Sequence, residues 1–100
     1  MRFLVTWKNP NQGSDPSYQR AVIKYFEDGK PMDKFEGFEV LARVIDPHQG
    51  GGTCIVEADN LKKIYQHTGP WIQSFQCKVE VTPVLSDEDY LKAAKDLLSQ

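Results

Sequence analysis

Residues 38–58 have the sequence FEVLARVIDPHQGGGTCIVEA, in which two apolar runs flank a turn. The first run, Phe38 to Ile45, is strongly apolar and typical of a β-strand. The segment from Asp46 to Gly52 contains a proline and three consecutive glycines, which predicts a turn. Thr53 to Ala58 is the returning strand, so the stretch predicts a β-hairpin with a long, flexible tip.

A strand and a helix are predicted upstream of this hairpin. Arg2 to Lys8 alternates between two sets of residues and is rich in strand formers, which predicts a β-strand. Asp15 is suited to cap a helix, and Pro16 fits its first position. Apolar residues then recur at helical spacing until Gly29, where the helix is expected to stop.

A second helix, a fourth strand and a third helix are predicted downstream. Asp59 or Asn60 can cap the second helix, whose apolar face is formed by Leu61, Ile64 and Tyr65. Gly69-Pro70 is expected to end or kink this helix. Residues 75–82 alternate as a strand that Pro83 closes. A C-terminal helix is expected over about residues 86–98, because Ser86 and three acidic residues favour a helix start.

The order of the elements is therefore βαββαβ followed by one helix. A chain of 100 residues is expected to form a single domain, residues 1–100. This order predicts an α+β, ferredoxin-like fold: a four-stranded antiparallel sheet with two helices on one face, plus the C-terminal helix.

Composition and charge exclude several classes of protein. Twelve basic and 14 acidic residues give a net charge of −2 without a basic run, so we expect no nucleic-acid partner. The apolar stretches are too short for a membrane span or a signal peptide, so we expect no membrane partner. Cys54 and Cys77 lie in strand-like runs and are expected to be buried, reduced thiols. We therefore expect a cytoplasmic protein.

The alternation along the strands assigns each residue to one face of the sheet. The face toward the helices is uniformly apolar: Phe3, Val5, Trp7, Val40, Ala42, Val44, Cys54, Val56, Ala58, Cys77, Val79 and Val81. The outer face is mixed: Leu4, Thr6, Leu41, Arg43, Ile45, Ile55, Glu57, Lys78, Glu80 and Thr82. Monomers usually avoid an exposed apolar patch, so we expect two copies to pair their sheets face to face as a homodimer. The alternative is that the C-terminal helix covers this face within one chain.

Several short motifs carry a resemblance to known proteins. They are Phe3-x-Val5-Thr6-Trp7, Gly51-Gly52 before Val56-Glu57-Ala58-Asp59, Trp71, and Val79-x-Val81-Thr82-Pro83-Val84. Over roughly residues 1–85, the chain resembles the small uncharacterised families of the dimeric α+β-barrel superfamily. The resemblance implies that two ferredoxin-like protomers form a barrel from their sheets. Related families include cofactor-free monooxygenases, lactone isomerases, stress-responsive barrels and haem-binding enzymes, but the resemblance transfers no activity.

The candidate ligand-binding residues fall into two groups. Thr6, Arg43, Glu57, Lys78 and Glu80 are expected between the paired sheets, and an apolar pocket between sheet and helix can be walled by Trp7, Tyr65 and Trp71. The catalytic candidates are Glu57 or Glu80 as a general base and Arg43 as an orienting cation. The alternative is an ion-pair network that only fills the dimer interface.

No metal or cofactor is expected. His48 and His67 have no cysteine or carboxylate partner at metal-ligand spacing, so we expect structural roles for both, with haem ligation by His67 as the alternative.

Three functional hypotheses remain. The chain is a homodimer that binds a small, partly apolar molecule between its sheets, a cofactor-free monooxygenase- or isomerase-like enzyme, or an interaction module with a packed lumen.

Overall fold

One sheet of five antiparallel strands forms the centre of the molecule, and the computed structural model describes all of residues 1–100. The strands are β1 (Arg2–Lys8), β2 (Lys34–Phe35), β3 (Phe38–Asp46), β4 (Gly51–Ala58) and β5 (Lys78–Val84). The helices are α1 (Pro16–Glu27), α2 (Leu61–Phe75) and α3 (Asp87–Leu98). None of the helices is both long and apolar enough to cross a membrane.

The strand order is β2-β3-β4-β1-β5. Without the two-residue edge strand β2, the order and the βαββαβ connectivity are those of the ferredoxin-like fold, so the predicted α+β fold class is confirmed. The sheet has five strands instead of the predicted four because Lys34 and Phe35 pair with Glu39 and Phe38 at the edge.

The core lies between the sheet and the helices α1 and α2. Its buried cluster consists of Phe3, Val5, Phe38, Cys54, Val56, Ala58 and Ile64. Helix α1 begins where the sequence predicts: the side chain of Asp15 accepts a hydrogen bond from the Tyr18 backbone N–H at 3.2 Å. Asn60 caps α2 in the same way through the Lys63 N–H.

Of the two expectations for Gly69-Pro70, an end or a kink, the end of the helix is wrong. Helix α2 continues through Pro70 to Phe75, so Phe75 lies in the helix and not in the following strand. An internal proline removes one backbone hydrogen bond and typically costs about 3 kcal/mol. The bond that it removes belongs to the carbonyl of the exposed Gln66, and we infer that burial of Ile64 and Thr68 on the opposite side of the helix offsets this cost.

A β-bulge in β3 overturns part of the face assignment. Val40 pairs with Val56, but Ala42 pairs with Ile55, so Leu41 is an extra residue. Every residue after the bulge therefore changes face. Arg43 and Ile45 were predicted on the outer face and lie on the helix side. Ala42 and Val44 were predicted in the core and are exposed on the outer face.

The hairpin tip is shorter than predicted. Gly50, Gly51 and Gly52 are buried, and the last two belong to β4. A Cβ atom on Gly51 would lie 1.9 Å from the Trp7 carbonyl oxygen. A Cβ atom on Gly52 would lie 2.3 Å from the Val44 carbonyl oxygen and 2.7 Å from the Trp7 ring. These glycines are therefore packing positions where other strands approach closely.

The outer face of the sheet is bare, and α3 does not cover it. Helix α3 has no buried residue. The molecule is elongated and measures 54 × 28 × 20 Å. The alternative that the C-terminal helix covers the outer face within one chain is therefore wrong. Apolar side chains remain exposed on the sheet at Leu41, Val44 and Ile55, and on α3 at Leu91, Leu97 and Leu98.

Candidate functional site

A cavity of about 60 Å³ lies between the inner face of the sheet and the helices α1 and α2. Its wall is mainly aromatic and aliphatic and includes Trp7, Tyr18, Val22, Tyr25, Phe26, Phe38, Ile45, Val56, Ile64, Trp71 and Val79. Phe26 and Ile45 are exposed and mark its mouth. The remaining wall residues are Val5, Arg43, Cys54, His67 and Thr68.

Arg43 and Asp33 form a partly buried ion pair at this cavity. Arg43 Nη1 donates to Asp33 Oδ2 at 2.9 Å, and Nη2 donates to Oδ1 at 2.6 Å. Tyr25 Oη also donates to Asp33 Oδ1 at 2.6 Å. The guanidinium lies 5.5 Å from the centre of the Phe26 ring, within the range of a cation–π contact. The pair is therefore held by a bidentate hydrogen bond and by the packing of aromatic rings against the guanidinium.

The environment keeps both members of this pair charged. Burial alone would raise the pKa of Asp33, but the hydrogen bonds from Arg43 and Tyr25 outweigh it and hold that pKa below its ordinary value. Burial would lower the pKa of Arg43, and Asp33 reverses this effect. Burial and the neighbouring Asp33 carboxylate raise the pKa of Tyr25, so its hydroxyl keeps its proton as a donor.

His67 from α2 completes the polar group. Its ring stacks on Phe38 with centroids 4.9 Å apart, and its Nε2 lies 3.7 Å from Asp33 Oδ1. This separation is too long for a hydrogen bond, so the buried Nε2 has no partner. Burial lowers the pKa of His67, with Asp33 acting in the opposite direction. His67 is therefore a neutral imidazole at pH 7.

A second polar contact lies elsewhere in the wall. Trp7 Nε1 donates to Tyr18 Oη at 2.7 Å, and the Tyr18 ring meets Trp71 edge to face with centroids 5.9 Å apart. Burial raises the pKa values of Tyr18 and of the Cys54 thiol, so both groups are neutral. No cluster of three or more His, Cys, Asp or Glu side chains is present that could hold a metal ion.

Three of the predicted site residues meet at this cavity. Trp7 and Trp71 line it, as expected for an apolar pocket between sheet and helix. Arg43 lies here as well, because the bulge turns it away from the outer face. Tyr65 does not line the cavity: it is exposed on α2, and its ring lies over Gly69.

The other candidates stay on the outer face and do not meet Arg43. Thr6 lies opposite Thr53, with their hydroxyl oxygens 3.3 Å apart. Glu57 accepts from Arg2 Nε at 2.8 Å, and the exposed Lys78 and Glu80 are 4.0 Å apart. Glu57 also borders an open depression of about 270 Å³ at the β2 edge, together with Lys34 and Glu39. The roles in binding and catalysis assigned to these residues stay predictions.

Sequence reasoning missed Asp33 and Tyr25 and gave His67 only a structural role or haem ligation. Asp33 lies in a loop, and nothing in its local pattern shows which strand it will face. One signal was present: Arg43 is the only charged residue in the run from Val40 to Ile45. A charge in such a run needs a buried partner, which points to a nearby carboxylate.

Comparisons with known proteins agree with the geometry. A family model described as "Domain of unknown function (DUF3303)" matches residues 1–98. No curated protein matches the chain. Two solved structures are similar. Rv0793 from Mycobacterium tuberculosis has a TM-score of 0.52 and 11% identity, covering 86% of this chain and 96% of that one. A candidate antibiotic biosynthesis monooxygenase from Deinococcus radiodurans has a TM-score of 0.51 and 9% identity, covering 86% and 94%.

At such low identities the likeness shows the fold alone. The chain shares the α+β fold of these two proteins, and its family has no assigned function, so the resemblance drawn from the sequence is confirmed for the fold and for an uncharacterised family.

Proposed function

The chain belongs to the DUF3303 family of domains of unknown function, and we propose that it is a homodimer whose protomers each bind a small, partly apolar molecule. We place the ligand in the cavity between sheet and helices instead of between two sheets. Only there do the predicted residues Trp7, Arg43 and Trp71 come together. Because both cysteines are free, we also place the protein in the cytoplasm.

The observation that carries this proposal is one group of polar side chains in an otherwise apolar cavity. Ligand sites are typically concave and apolar, with a few polar groups that fix the orientation of the ligand. Here Arg43 and His67 supply the polar groups, and aromatic rings supply most of the wall.

The volume limits the size of the ligand. A cavity of about 150 Å³ holds benzene, whereas this one measures about 60 Å³. A single ring therefore enters only if side chains at the mouth, such as Phe26 and Ile45, move or leave part of the ring exposed. The expected ligand is a one-ring molecule and not a large polycyclic one.

Titration with toluene tests this binding site. Trp7 and Trp71 both line the cavity and are the two tryptophans of the chain, so both indole N–H signals in a ¹H–¹⁵N spectrum report on it. We expect saturable shifts of these signals. Val79→Phe fills the cavity and should abolish them, whereas Ile23→Phe, on the exposed side of α1, should not. Unchanged signals in the wild type would favour the interaction-module hypothesis.

The support for the homodimer is the bare outer face. Leu41, Val44 and Ile55 are exposed there, and nothing within the chain covers them. A second copy of the same face, related by a two-fold axis, would bury them. Because the cavity lies within one chain, the ligand proposal does not depend on the dimer.

Light scattering behind a sizing column tests the dimer. We expect a mass near twice 11.4 kDa. Ile55→Lys should shift the mass toward the monomer because it buries an unpaired charge. Ile23→Lys, on the exposed side of α1, is the matched control and should leave the mass unchanged. A wild-type mass near 11.4 kDa would disprove the dimer.

A second candidate function is a cofactor-free enzyme of the isomerase or monooxygenase type. The unpartnered, neutral imidazole of His67 favours it, with Asp33 placed to stabilise the imidazolium that forms after proton abstraction. His67 thereby replaces Glu57 and Glu80 as the preferred base. The test is deuterium exchange, in D₂O, of the acidic hydrogens next to the carbonyl of phenylacetone, a ketone with one ring.

We expect the wild type to accelerate this exchange and His67→Gln to lose the acceleration. Glu57→Gln and Glu80→Gln should retain it, because both residues lie on the outer face. If these two variants lose the acceleration and His67→Gln retains it, the original assignment of the base is correct.

A further inference from the structure

We propose that the cavity selects neutral molecules whose polar group is a carbonyl oxygen, and that it rejects carboxylates. This inference rests on the proposed function, because it concerns the ligand of the same cavity. It follows from how Arg43 and Asp33 are paired and from which hydrogen-bond donors remain free.

The first argument is the balance of charge. Arg43 is the only positively charged side chain in the wall at pH 7. Each of its Nη atoms donates a hydrogen bond to one carboxylate oxygen of Asp33. The pair therefore has no net charge. A ligand carboxylate would have to compete with Asp33 for the guanidinium, and it would be repelled by Asp33 at the same time. An anion that fails to displace Asp33 is left unpaired in an apolar cavity.

Asp33 is not easily displaced. It accepts from Arg43 twice and from Tyr25 once, with distances of 2.6 to 2.9 Å. Hydrogen bonds to a charged group are among the stronger ones in proteins. The carboxylate position next to Arg43 is thus already filled by the protein itself.

The second argument is the surplus of donors in the wall. A guanidinium has more N–H groups than the ones Asp33 accepts, so Arg43 keeps donors to spare. Tyr18 Oη accepts from Trp7 and still carries a proton of its own. A carbonyl oxygen accepts a hydrogen bond without bringing a charge, so it can pair with one of these donors at a small desolvation cost.

Three probes that share one ring separate these arguments: ethylbenzene, acetophenone and sodium benzoate. Each is titrated into the ¹⁵N-labelled wild-type protein at pH 7, and the indole signal of Trp7, assigned with Trp7→Phe, is followed. We expect acetophenone to bind most tightly and ethylbenzene more weakly. Benzoate should bind at least about tenfold more weakly than acetophenone, because its charge is unpaired.

Asp33→Asn gives the sharpest test, because it keeps the shape of the side chain and removes its charge. Arg43 then has an unneutralised charge, so benzoate should gain affinity and bind more tightly than acetophenone. Asp96→Asn removes a carboxylate on helix α3, which has no buried residue, and should leave the wild-type order unchanged. The order of the wild-type probes needs no variant, so it stands even if Asp33→Asn fails to fold.

The outcomes distinguish the two levels of the proposal. If benzoate binds the wild type as tightly as acetophenone, charge rejection is wrong although the cavity still binds ligands. If ethylbenzene and acetophenone bind equally, the role of the carbonyl is wrong. If none of the probes shifts the Trp7 signal, the selectivity and the proposed ligand site fail together.

Discussion

Two arginine–carboxylate pairs lie on opposite faces of the same sheet. On the outer face Arg2 Nε donates to Glu57 at 2.8 Å, and these side chains are 32% and 41% exposed. On the inner face Arg43 donates twice to Asp33 at 2.6 and 2.9 Å, with side chains 12% and 21% exposed. The distances are similar, but the outer pair is more exposed to water than the inner pair. Burial, and not distance, decides how much each pair matters.

The difference indicates which face of the sheet is the better candidate for a functional site. The outer face carries Glu57, Lys78 and Glu80, the charged residues that strand alternation places there, and their side chains are exposed to solvent. The inner face carries one partly buried ion pair and a histidine whose buried Nε2 has no hydrogen-bond partner. A perturbed, partly desolvated group is a better candidate for function than a solvated one.

The largest expected effect comes from breaking each pair at its carboxylate. Asp33→Ala leaves Arg43 buried without a partner and should lower the free energy of unfolding by about 3 kcal/mol. Glu57→Ala should lower it by less than about 1 kcal/mol, because that pair is exposed. Urea unfolding of both variants measures the contrast. Equal losses would show that burial does not separate the two faces.

A methyl group added on the inner side should have the next largest effect. Gly52→Ala places a Cβ against the Val44 carbonyl oxygen and the Trp7 ring. We expect a loss of about 2 kcal/mol and a changed tryptophan fluorescence, because overpacking forces neighbours to shift. Thr53→Ala, the next residue and on the outer face, is the control and should cost about 0.5 kcal/mol. A stable Gly52→Ala with unchanged fluorescence would mean that the tip is flexible after all.

Removing one hydroxyl from the inner wall should have a smaller effect. Tyr18→Phe keeps the ring that packs on Trp71 and Phe75 but leaves Trp7 Nε1–H without its acceptor. The expected loss is about 1 kcal/mol in chemical denaturation. Tyr65→Phe is the matched control, because the Tyr65 hydroxyl makes no hydrogen bond within the chain. This variant should leave the free energy of unfolding unchanged. A neutral Tyr18→Phe would show that the indole N–H is satisfied without Tyr18.

The smallest expected effect is the pH dependence due to His67. Its pKa is lowered below 6.5 in the folded state, so the unfolded chain binds the proton more tightly. Stability from this group is complete above pH 6.5 and is lost as the pH falls through the folded pKa. The pKa of Asp33 is also lowered, but its contribution is lost only well below pH 5. Unfolding free energies between pH 5 and 7 should therefore rise with pH, and His67→Phe should flatten the rise.

The sequence predicted the fold well because strand alternation and helix capping are local. Asp15 before Pro16 marks the start of α1, and the pattern from Phe3 to Trp7 assigns β1 to its correct faces. The candidate site was predicted less well. The sequence pattern predicts Trp7 and Trp71 as pocket walls, but it puts Arg43 on the wrong face and does not identify Asp33.

These failures share a physical cause. The residues around the bulge, Val40, Leu41, Ala42 and Val44, are all apolar, so no alternation shows that Leu41 is an extra residue. Pro70 continues a helix because burial of the opposite side outweighs its lost hydrogen bond. In each case a long-range contact overrides a local preference.

Local pattern along the chain indicates the order of the four long strands and the three helices, most of their ends and the mainly apolar character of the inner face, since these depend on neighbouring residues. Which charges leave the solvent depends instead on contacts across the fold. A single bulge at Leu41 moves Arg43 to the helix side, where a loop residue, Asp33, and a helix residue, His67, meet it. The site depends on contacts between residues far apart in sequence, and their pairing is set by packing and not by local pattern.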